Sequence, residues 1–177
     1  MRPTPSFPFA IEPLGKHHQR AAFSSGSESL DRYLRHQAGQ EARRHIAVTF
    51  VLVDTQHQVI AGYYTLSATS ILLGELPPEV ADKLPRYPLV PATLLGRLAV
   101  DTGYQGKGLG EFLLMDALRR SLAQSQAIAS MAVVVDAEGD RASSFYARYG
   151  FIQFPEHPHR LFLPMKTIAA LFRGGRP

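Results

Sequence analysis

The hexapeptide Gln105-Gly106-Lys107-Gly108-Leu109-Gly110 separates two apolar segments of the chain. The segment before it, Leu94-Leu95-Gly96-Arg97-Leu98-Ala99-Val100, predicts a buried strand, and the segment after it, residues 111–118, predicts a helix. The apolar face of that helix is expected to comprise Leu109, Phe112, Leu113 and Ala117. The first turn of a helix has unpaired N–H groups and the positive end of the helix dipole, and glycines let an anion approach closely. The hexapeptide therefore predicts a binding site for a phosphorylated cofactor.

The spacing within this stretch excludes two common phosphate-binding motifs. A P-loop has Ser or Thr directly after its Gly-Lys pair, whereas Lys107 is followed by Gly108. A dinucleotide fingerprint that began at Gly106 would need glycine at position 111, where Glu111 stands. Asp136, at the end of a later apolar strand, imitates the ribose-binding acid of that fold but does not replace the missing glycine.

The hexapeptide resembles the Gln/Arg-x-x-Gly-x-Gly pyrophosphate loop of the GNAT superfamily, with Gln105, Gly108 and Gly110 at its three fixed positions. On its own it is also compatible with a glycine-rich turn that only caps a helix. A second motif follows in the right order, because residues 142–151 resemble the Ala-x-x-Phe-Tyr-x-x-x-Gly-Phe segment of the same superfamily, with Gly150 as helix terminator. The chain is identified as a member of this superfamily of acetyl-CoA-dependent N-acetyltransferases.

A closer resemblance extends over nearly the whole chain. It is carried by Leu95-Gly96-Arg97-Leu98-Ala99-Val100-Asp101, Gly62-Tyr63-Tyr64, Phe23-Ser24-Ser25-Gly26 and Leu30-Asp31-Arg32-Tyr33-Leu34, which are similar to the GNAT toxins of bacterial type II toxin–antitoxin systems. The resemblance implies acetylation of the free α-amino group of aminoacyl-tRNA, which blocks translation. It also implies a ribbon-helix-helix antitoxin as partner, a homodimer, no membrane association, and no specific DNA binding without the antitoxin.

The resemblance further implies an α+β fold: a single GNAT-type domain over residues 1–177, with a mixed, mostly antiparallel twisted sheet, helices on both faces and a splayed central strand pair. Residues 1–13 are expected to form an extended arm with a strand near 9–11, and residues 166–177 a tail. The other predicted elements are a helix at 29–38, a hairpin of strands 47–53 and 59–66, a strand at 160–165 and a short helix or tail at 167–172. Residues 74–93 are expected to form an irregular loop bordering the acceptor site, with one short helical turn at 79–83 as an option.

The composition limits the class of protein and the kinds of site that the chain can contain. A chain of 177 residues, 45% hydrophobic and 19% charged, has the size and make-up of one globular domain. The absence of cysteine excludes disulfides, a thiolate nucleophile and a cysteine-based metal site. No apolar run approaches the roughly 20 residues that span a bilayer, and the start lacks the apolar core of a signal peptide. We therefore expect a cytoplasmic bacterial protein.

The formal net charge of +4 favours a polyanionic partner only weakly, but basic residues crowd one early stretch. Arg32, Arg35, His36, Arg43, Arg44 and His45 lie there, with residues 16–20 just upstream. This stretch is either a solvated helix face or a contact surface for the tRNA backbone. The candidate tRNA-binding residues are Arg35, Arg43, Arg44, Arg86 and Arg97.

The resemblance assigns the cofactor site. The CoA pyrophosphate is expected on the backbone N–H groups of residues 105–110, with Lys107 adding charge, and the pantetheine arm along residues 98–100. An N–H of Leu98 or Val100 is the expected oxyanion donor. The cofactor-binding candidates are Leu98, Ala99, Val100, Gln105, Gly106, Lys107, Gly108, Leu109 and Gly110.

Tyr146 is the candidate catalytic residue, because it aligns with the family tyrosine that protonates the CoA thiolate. A phenol has a pKa near 10, so it is protonated at neutral pH and can donate to a sulfur anion. The alternative is a core aromatic side chain packed beside Phe145 and Phe151. Tyr149 is the competing tyrosine.

The predicted strand 94–100 contains no carboxylate, and its only charged residue is Arg97. A lysine acceptor, with a pKa near 10.4, would need a base, whereas an α-amine with a pKa near 7.7–8.0 is already partly neutral at pH 7. The missing base therefore favours an α-amino acceptor. Arg97 is expected either to meet the tRNA 3′ end or to pair with an acid, and action of Asp101 through a water stays open.

Other chemistries are less well supported. His157-Pro158-His159, with Glu156 as the one acidic neighbour, is too short and too proline-bound for a tetrahedral site, so we expect no metal. No serine lies in a nucleophile elbow. The rival functions are a GNAT enzyme for another amine (a protein N-terminus, a polyamine or an antibiotic) and a non-catalytic CoA-binding co-repressor module. A pocket for a polyamine or an aminoglycoside should be acidic, and the scarcity of acidic residues near Arg86 and Arg97 disfavours such an acceptor. The presence of Tyr146 together with the pyrophosphate loop disfavours a non-catalytic module.

Overall fold

The computed structural model describes residues 7–174, which form one seven-stranded sheet in the order β1-β2-β3-β4-β5-β7-β6. The strands are β1 (Phe9–Pro13), β2 (Val48–Asp54), β3 (Val59–Leu72), β4 (Leu89–Val100), β5 (Ala132–Asp136), β6 (Ile152–Phe154) and β7 (His157–Pro164). The helices are α1 (Glu28–His36), α2 (Ala38–Arg43), α3 (Pro78–Ala81), α4 (Leu109–Gln124), α5 (Asp140–Arg148) and α6 (Met165–Arg173). The sheet is mostly antiparallel with a parallel pair, β4 and β5, which confirms the predicted α+β class.

The described residues divide into two compact units. The first comprises residues up to Thr65 together with 97–114, and the second comprises 66–96 and 115 onwards. Assignment of residues 1–177 to one domain stays a prediction. Residues 1–6 of the expected arm and 175–177 of the expected tail lie outside the described residues.

The first unit has its own aromatic core. Its members are Phe23, Tyr33, Leu34, Ala38, Val51, Val53, Ile60, Tyr63 and Ala99. The Tyr63 hydroxyl donates a 2.6 Å hydrogen bond to the carbonyl oxygen of Leu30, so the ring also fixes the course of α1. Buried Asp31 accepts hydrogen bonds from the backbone N–H and the hydroxyl of Ser25 at 2.9 and 2.7 Å. The segment before α1 is therefore held by a satisfied buried carboxylate.

The second unit is built on β5, in which residues 132–135 are fully buried. Its core comprises Ile71, Leu76, Ala92, Ala132, Val134, Phe154 and Phe162. Strand β5 pairs antiparallel with β7 and parallel with β4, where the ladder joins Thr93, Leu94 and Leu95 to residues 133–135. The ladder ends at Leu95, and β5 ends one residue after the Leu95 partner, at Asp136, whereas β4 continues to Val100. The splayed strand pair stays a prediction.

Several predicted boundaries were wrong. The region expected to be an irregular loop, 74–93, contains most of a 3-10 turn (Leu73–Glu75) and the start of β4. Helix α3 overlaps the short helical turn considered for residues 79–83. Strand β3 continues past residue 66 to Leu72. The alternation of exposed Leu89 and Pro91 with buried Val90 and Ala92 is a strand signal that the prolines of this region obscured.

At the two ends, the elements also differ from prediction. The helix expected at 29–38 ends at His36, and α2 follows it directly. Strand β7 begins at His157 rather than at residue 160. The helix considered for residues 167–172 is present and is longer, from Met165 to Arg173. Within residues 7–174, no helix combines the length and the hydropathy needed to cross a membrane.

Two predicted burial patterns were also wrong. In residues 94–100 only Leu95 and Ala99 are buried, so the strand is half-buried. Phe112 is 38% exposed, because at 100° per residue it lies across the helix from the buried face. That face comprises Leu109, Leu113, Leu114, Ala117 and Leu118.

Candidate active site

The predicted phosphate loop has the backbone that its glycines suggest. Gly106 and Gly108 have φ of 79° and 78°, a conformation that residues with a Cβ rarely adopt. Helix α4 begins at Leu109, and the N–H of Phe112 donates to the carbonyl oxygen of Gly108 at 3.1 Å. The N–H groups of residues before Phe112 have no partner inside the helix. The loop thus presents backbone donors at the positive end of a 16-residue helix, where an anion is stabilised.

The side chain of Gln105 ties this loop to its surroundings. Its amide donates hydrogen bonds to the carbonyl oxygens of Ser25 and Val100, both at 2.9 Å. The amide is therefore used to hold the loop against the end of β4, and the backbone of Gln105 is the part left to bind a cofactor. These bonds bring the predicted residues 98–100 and 105–110 together within the first unit.

Asp101 holds the turn between β4 and the loop. Its Oδ2 accepts a 3.0 Å hydrogen bond from the N–H of Ser24, and its Oδ1 accepts a 2.9 Å bond from the N–H of Gly103. Its own N–H donates to the carbonyl oxygen of Ala61 at 2.8 Å. Each carboxylate oxygen thus has a structural partner, which favours a loop-organising role over that of a base.

A pair that the sequence did not reveal anchors the same turn. The hydroxyl of Tyr104 donates a 2.6 Å hydrogen bond to Oδ2 of the buried Asp54, which also accepts from Nδ1 of His57 at 2.8 Å. The hydrogen bond from Tyr104 holds the pKa of the Asp54 carboxyl well below its usual range, against the effect of burial. The same bond, together with burial, raises the pKa of Tyr104 to about 12. Asp54 and Tyr104 are far apart in sequence, and no local pattern predicts their contact.

Arg97 lies against an aromatic face. Its Cζ atom is 3.5 Å from the ring centroid of Tyr33, a cation–π contact. The hydroxyl of Tyr33 donates a 2.6 Å hydrogen bond to Oε2 of Glu41. Burial and this bond to Glu41 raise the pKa of Tyr33 to about 12. Within residues 7–174 no carboxylate oxygen lies within 4 Å of the Arg97 guanidinium, so the predicted acid pairing is not found there.

Tyr146 lies on α5 in the second unit and is 7% exposed. Its ring packs edge-on against Phe145 and Phe151, with centroids 5.1 and 5.3 Å apart. Burial raises the pKa of its phenol above the usual value, so the hydroxyl stays protonated at neutral pH. This packing is what a core aromatic side chain would also show.

The Tyr146 hydroxyl differs from three other tyrosine hydroxyls of the protein. Those of Tyr33, Tyr63 and Tyr104 each donate to an oxygen at 2.6 Å. Across residues 7–174, the Tyr146 hydroxyl has no hydrogen-bond partner. This hydroxyl is therefore available to donate its proton to a ligand. Tyr149 is half-buried, with its ring centroid 5.2 Å from that of Phe145.

The family described as acetyltransferase (GNAT) domain matches residues 45–153 of the chain. The chain belongs to the GNAT acetyltransferase family. This GNAT chain is an acetyltransferase with acetyl-CoA as its acetyl donor, as predicted. It is similar to a tRNA-acetylating toxin of Mycobacterium tuberculosis, with 37% identity over 151 residues that cover 85% of this chain and 88% of that protein.

Solved GNAT structures show the same likeness. The AtaT complex with acetyl-methionyl-tRNAfMet superposes with a TM-score of 0.85 at 31% identity, covering 93% of this chain and 99% of AtaT. A tyrosine-to-phenylalanine variant of AtaT, bound to acetyl-CoA and to the C-terminus of the antitoxin AtaR, gives a TM-score of 0.78 at 27% identity and covers 93% of this chain and 98% of that one.

The arginines proposed from sequence occupy different parts of this GNAT chain. Arg43 and Arg44 are exposed, and Arg35 is exposed but donates a 2.7 Å hydrogen bond from Nη2 to the carbonyl oxygen of Phe23. Arg86 is exposed in the second unit. Arg20, which is not among the predicted tRNA-binding residues, lies near Arg43. A Cβ atom added at Gly39 would be 3.1 Å from Nη1 of Arg20 and 3.4 Å from Nη1 of Arg43. Arg20 and Arg43 thus form one basic cluster beside α2.

One group of residues in the first unit has the composition of a metal site. Glu12, His17 and His18 bring their ligand atoms within 4.8 Å of one another. However, Nδ1 of His18 accepts a 2.8 Å hydrogen bond from the N–H of Gly15, so Nε2 carries the ring proton and donates to Glu12 at 2.5 Å. This tautomer leaves no ring lone pair for an ion. The arrangement therefore favours a part-buried hydrogen bond between His18 and Glu12, and the absence of a metal stays a prediction.

Proposed function

We propose that this chain transfers the acetyl group of acetyl-CoA to the α-amino group of aminoacyl-tRNA and so blocks translation. The observation that carries the proposal is the likeness over almost the whole chain to AtaT in complex with acetyl-methionyl-tRNAfMet. The identity with a tRNA-acetylating toxin supports the same acceptor class. A strand next to the site that contains Arg97 and no carboxylate suits an amine that needs no strong base.

The proposed CoA site lies in the first unit. The backbone N–H groups of residues 105–110 bind the pyrophosphate, and Lys107 adds a positive charge. Pantetheine resembles a peptide and pairs with the backbone of Leu98, Ala99 and Val100 beyond the end of the β4–β5 ladder. An N–H of Leu98 or Val100 donates to the oxyanion, a contribution of about 3 kcal/mol.

The chemistry proceeds through a tetrahedral intermediate. The neutral α-amine attacks the thioester carbonyl carbon, and the carbonyl oxygen becomes an oxyanion. The intermediate collapses to an amide and a CoA thiolate, while the amine loses its proton to water. We assign protonation of the thiolate to Tyr146, because its hydroxyl is protonated and uncommitted among the described residues. Asp101 organises the loop through its two backbone hydrogen bonds.

Arginine side chains are proposed to bind the tRNA. Arg35, Arg43, Arg44, Arg86 and Arg97 are the contact residues, and Arg20 extends the cluster at Arg43. Contacts of this type give affinity without reading sequence, and the affinity falls steeply with salt. We further propose a ribbon-helix-helix antitoxin as partner, homodimerisation and a cytoplasmic location. The AtaT complex with the C-terminus of its antitoxin supports the antitoxin as partner.

The test is acetylation of charged tRNA by the purified protein. Wild type, Tyr146→Phe and the matched control Tyr149→Phe are incubated with radiolabelled acetyl-CoA and aminoacylated total tRNA. We expect label in tRNA with wild type and with Tyr149→Phe, and at least about 100-fold slower labelling with Tyr146→Phe. Label in no tRNA with wild type would contradict the acceptor. Equal rates for the two variants would contradict the role of Tyr146.

A further inference from the structure

The guanidinium of Arg97 contacts the aromatic ring of Tyr33 and forms no ion pair with a described residue. At 3.5 Å from Cζ to the centroid, the guanidinium and the Tyr33 ring are in face contact. Such stacking occupies the plane of the guanidinium and leaves its N–H groups pointing outward around the edge. Arg97 has no ion pair with a described residue. The side chain is thus fixed in position while its donors remain free for a ligand.

The Tyr33 ring that contacts Arg97 is itself fixed by two contacts. Tyr33 is 1% exposed, and its hydroxyl donates to Glu41 at 2.6 Å. Its ring stacks on that of Tyr63 at 6.4 Å between centroids and 16° between planes. Tyr63 is held in turn by its 2.6 Å hydrogen bond to the carbonyl oxygen of Leu30. A platform this rigid reduces the entropy that Arg97 would lose on binding a ligand.

The position of Arg97 along β4 suggests the ligand. Arg97 directly precedes Leu98, whose backbone we assign to the acetyl end of CoA, and neighbouring Cα atoms are about 3.8 Å apart. Residues that alternate along a strand share a face, so Arg97 is on the face of Ala99, which packs in the Tyr33 core cluster. The acceptor amine must reach the thioester at this point. The Arg97 guanidinium would therefore contact the chemical group that lies next to the amine in the acceptor.

In aminoacyl-tRNA, the group that follows the terminal ribose is a phosphodiester. Guanidinium binds phosphate oxygens with two parallel N–H donors, which gives both affinity and orientation. We propose that Arg97, positioned on Tyr33, binds the 3′-terminal phosphodiester of the acceptor, so that the enzyme prefers tRNA-linked amines over free ones. This inference rests on the proposed function. Arg97 is the binding residue, and Tyr33 and Glu41 are positioning residues.

The test compares an acceptor that has this phosphate with one that lacks it together with the rest of the tRNA. Charged tRNA and 3′-O-aminoacyl adenosine, which has no phosphate, are each titrated with wild type, Arg97→Gln and the control Arg119→Gln. Arg119 is exposed in the second unit, and its Cζ atom lies 4.9 Å from the ring centroid of Phe172, so it is a matched arginine over an aromatic ring. The readout is the ratio of kcat/KM for charged tRNA to kcat/KM for aminoacyl adenosine.

We expect Arg97→Gln to lower this ratio about 10- to 100-fold, the effect of one charge-assisted contact. The slope of log(kcat/KM) for tRNA against log salt should become about 0.7 less negative, because one phosphate contact to a single strand is lost. Arg119→Gln should leave the ratio within about twofold of wild type. Tyr33→Phe keeps the ring face and should keep the ratio within about threefold, whereas Tyr33→Leu should lower it as Arg97→Gln does.

Three outcomes would overturn the inference. An equal loss on both acceptors would place Arg97 in the chemical step, and a raised KM for acetyl-CoA with an unchanged ratio would assign it to a CoA phosphate. If Arg97→Gln leaves the ratio of the two kcat/KM values unchanged, Arg97 has no role in the choice of acceptor. In all three cases wild type still labels tRNA. If wild type labels aminoacyl adenosine and no tRNA, the proposed function fails first and this inference fails with it.

Discussion

Tyr104 and Asp54 meet through a 2.6 Å hydrogen bond that fixes the entrance to the phosphate loop. Tyr104 immediately precedes Gln105, while Asp54 ends β2 and closes the following turn by accepting from the backbone N–H of Gln56 at 2.9 Å. The Nζ atom of Lys107 lies 5.3 Å from the centroid of the Tyr104 ring. One phenol therefore couples the turn after β2 to the loop proposed to bind CoA.

Removing the charge of Asp54 should loosen this loop. Asp54→Asn leaves an amide where a buried carboxylate accepts several donors, and we expect a loss of about 1–3 kcal/mol in the free energy of unfolding. The Kd for CoA should rise with it, because the loop backbone is less well fixed. Chemical denaturation and calorimetric titration measure the two effects. The control is Asp82→Asn on the exposed surface; an equal effect of both changes would contradict the role of Asp54.

The shifted pKa values predict how stability depends on pH. The carboxyl pKa of Asp54 is lowered in the folded state, so its stabilising effect is present above the unfolded-state pKa of about 3.9 and is lost as pH falls below it. The pKa values of Tyr33 and Tyr104 are raised to about 12, so their effect is present below pH 10 and is lost as pH rises towards 12. Urea unfolding at a series of pH values tests this. If the free energy of unfolding of Tyr104→Phe and Tyr33→Phe still falls at alkaline pH as much as that of wild type, the assignment of this loss to the two tyrosines would be contradicted.

The glycines of the loop should be sensitive to substitution for conformational reasons alone. A Cβ at Gly108 would meet no atom within 4 Å, but φ of 78° strains any residue other than glycine. Gly108→Ala should cost about 1 kcal/mol or more in stability, and the shifted N–H groups should raise the Kd for CoA about tenfold. Gly74→Ala, with equally open surroundings and no positive φ, is the matched control. Unaltered CoA binding in Gly108→Ala would argue against the pyrophosphate assignment.

The Tyr146 hydroxyl should matter for rate and not for folding. Because it has no hydrogen-bond partner among residues 7–174, Tyr146→Phe should change the free energy of unfolding by less than about 0.5 kcal/mol. We expect kcat to fall about 10²- to 10⁴-fold while KM for acetyl-CoA changes little. Tyr63→Phe loses a 2.6 Å hydrogen bond and should show the opposite pattern, reduced stability with kcat retained. Steady-state kinetics and thermal melts separate the two.

The sequence predicted the features that depend on local chemistry. A glycine-dense segment ahead of an apolar helix is a local pattern, and it predicts the loop at 105–110. The buried strand β5 can be predicted in the same way, because Ala132 and three consecutive valines form a continuous apolar run. The family resemblance supplied the acetyl donor and the α+β class.

Features that depend on contacts between distant residues could not be predicted. Nothing near Arg97 in sequence indicates that Tyr33 will lie under its guanidinium, and nothing near Tyr104 points to Asp54. The helical face at Phe112 was misplaced because α4 is apolar on more than one side in its first turns. Tertiary packing decides which apolar side chain is covered.

The central claim, acetylation of the α-amine of aminoacyl-tRNA, is tested most directly by mass spectrometry of the tRNA 3′ end. Charged tRNA is incubated with acetyl-CoA and wild type or Tyr146→Phe, digested with ribonuclease, and the terminal aminoacyl adenosine is analysed. The account predicts N-acetyl-aminoacyl adenosine with wild type and about 100-fold less of it with Tyr146→Phe at equal times. Aminoacyl adenosine that remains unacetylated while wild type consumes acetyl-CoA with another amine would contradict it.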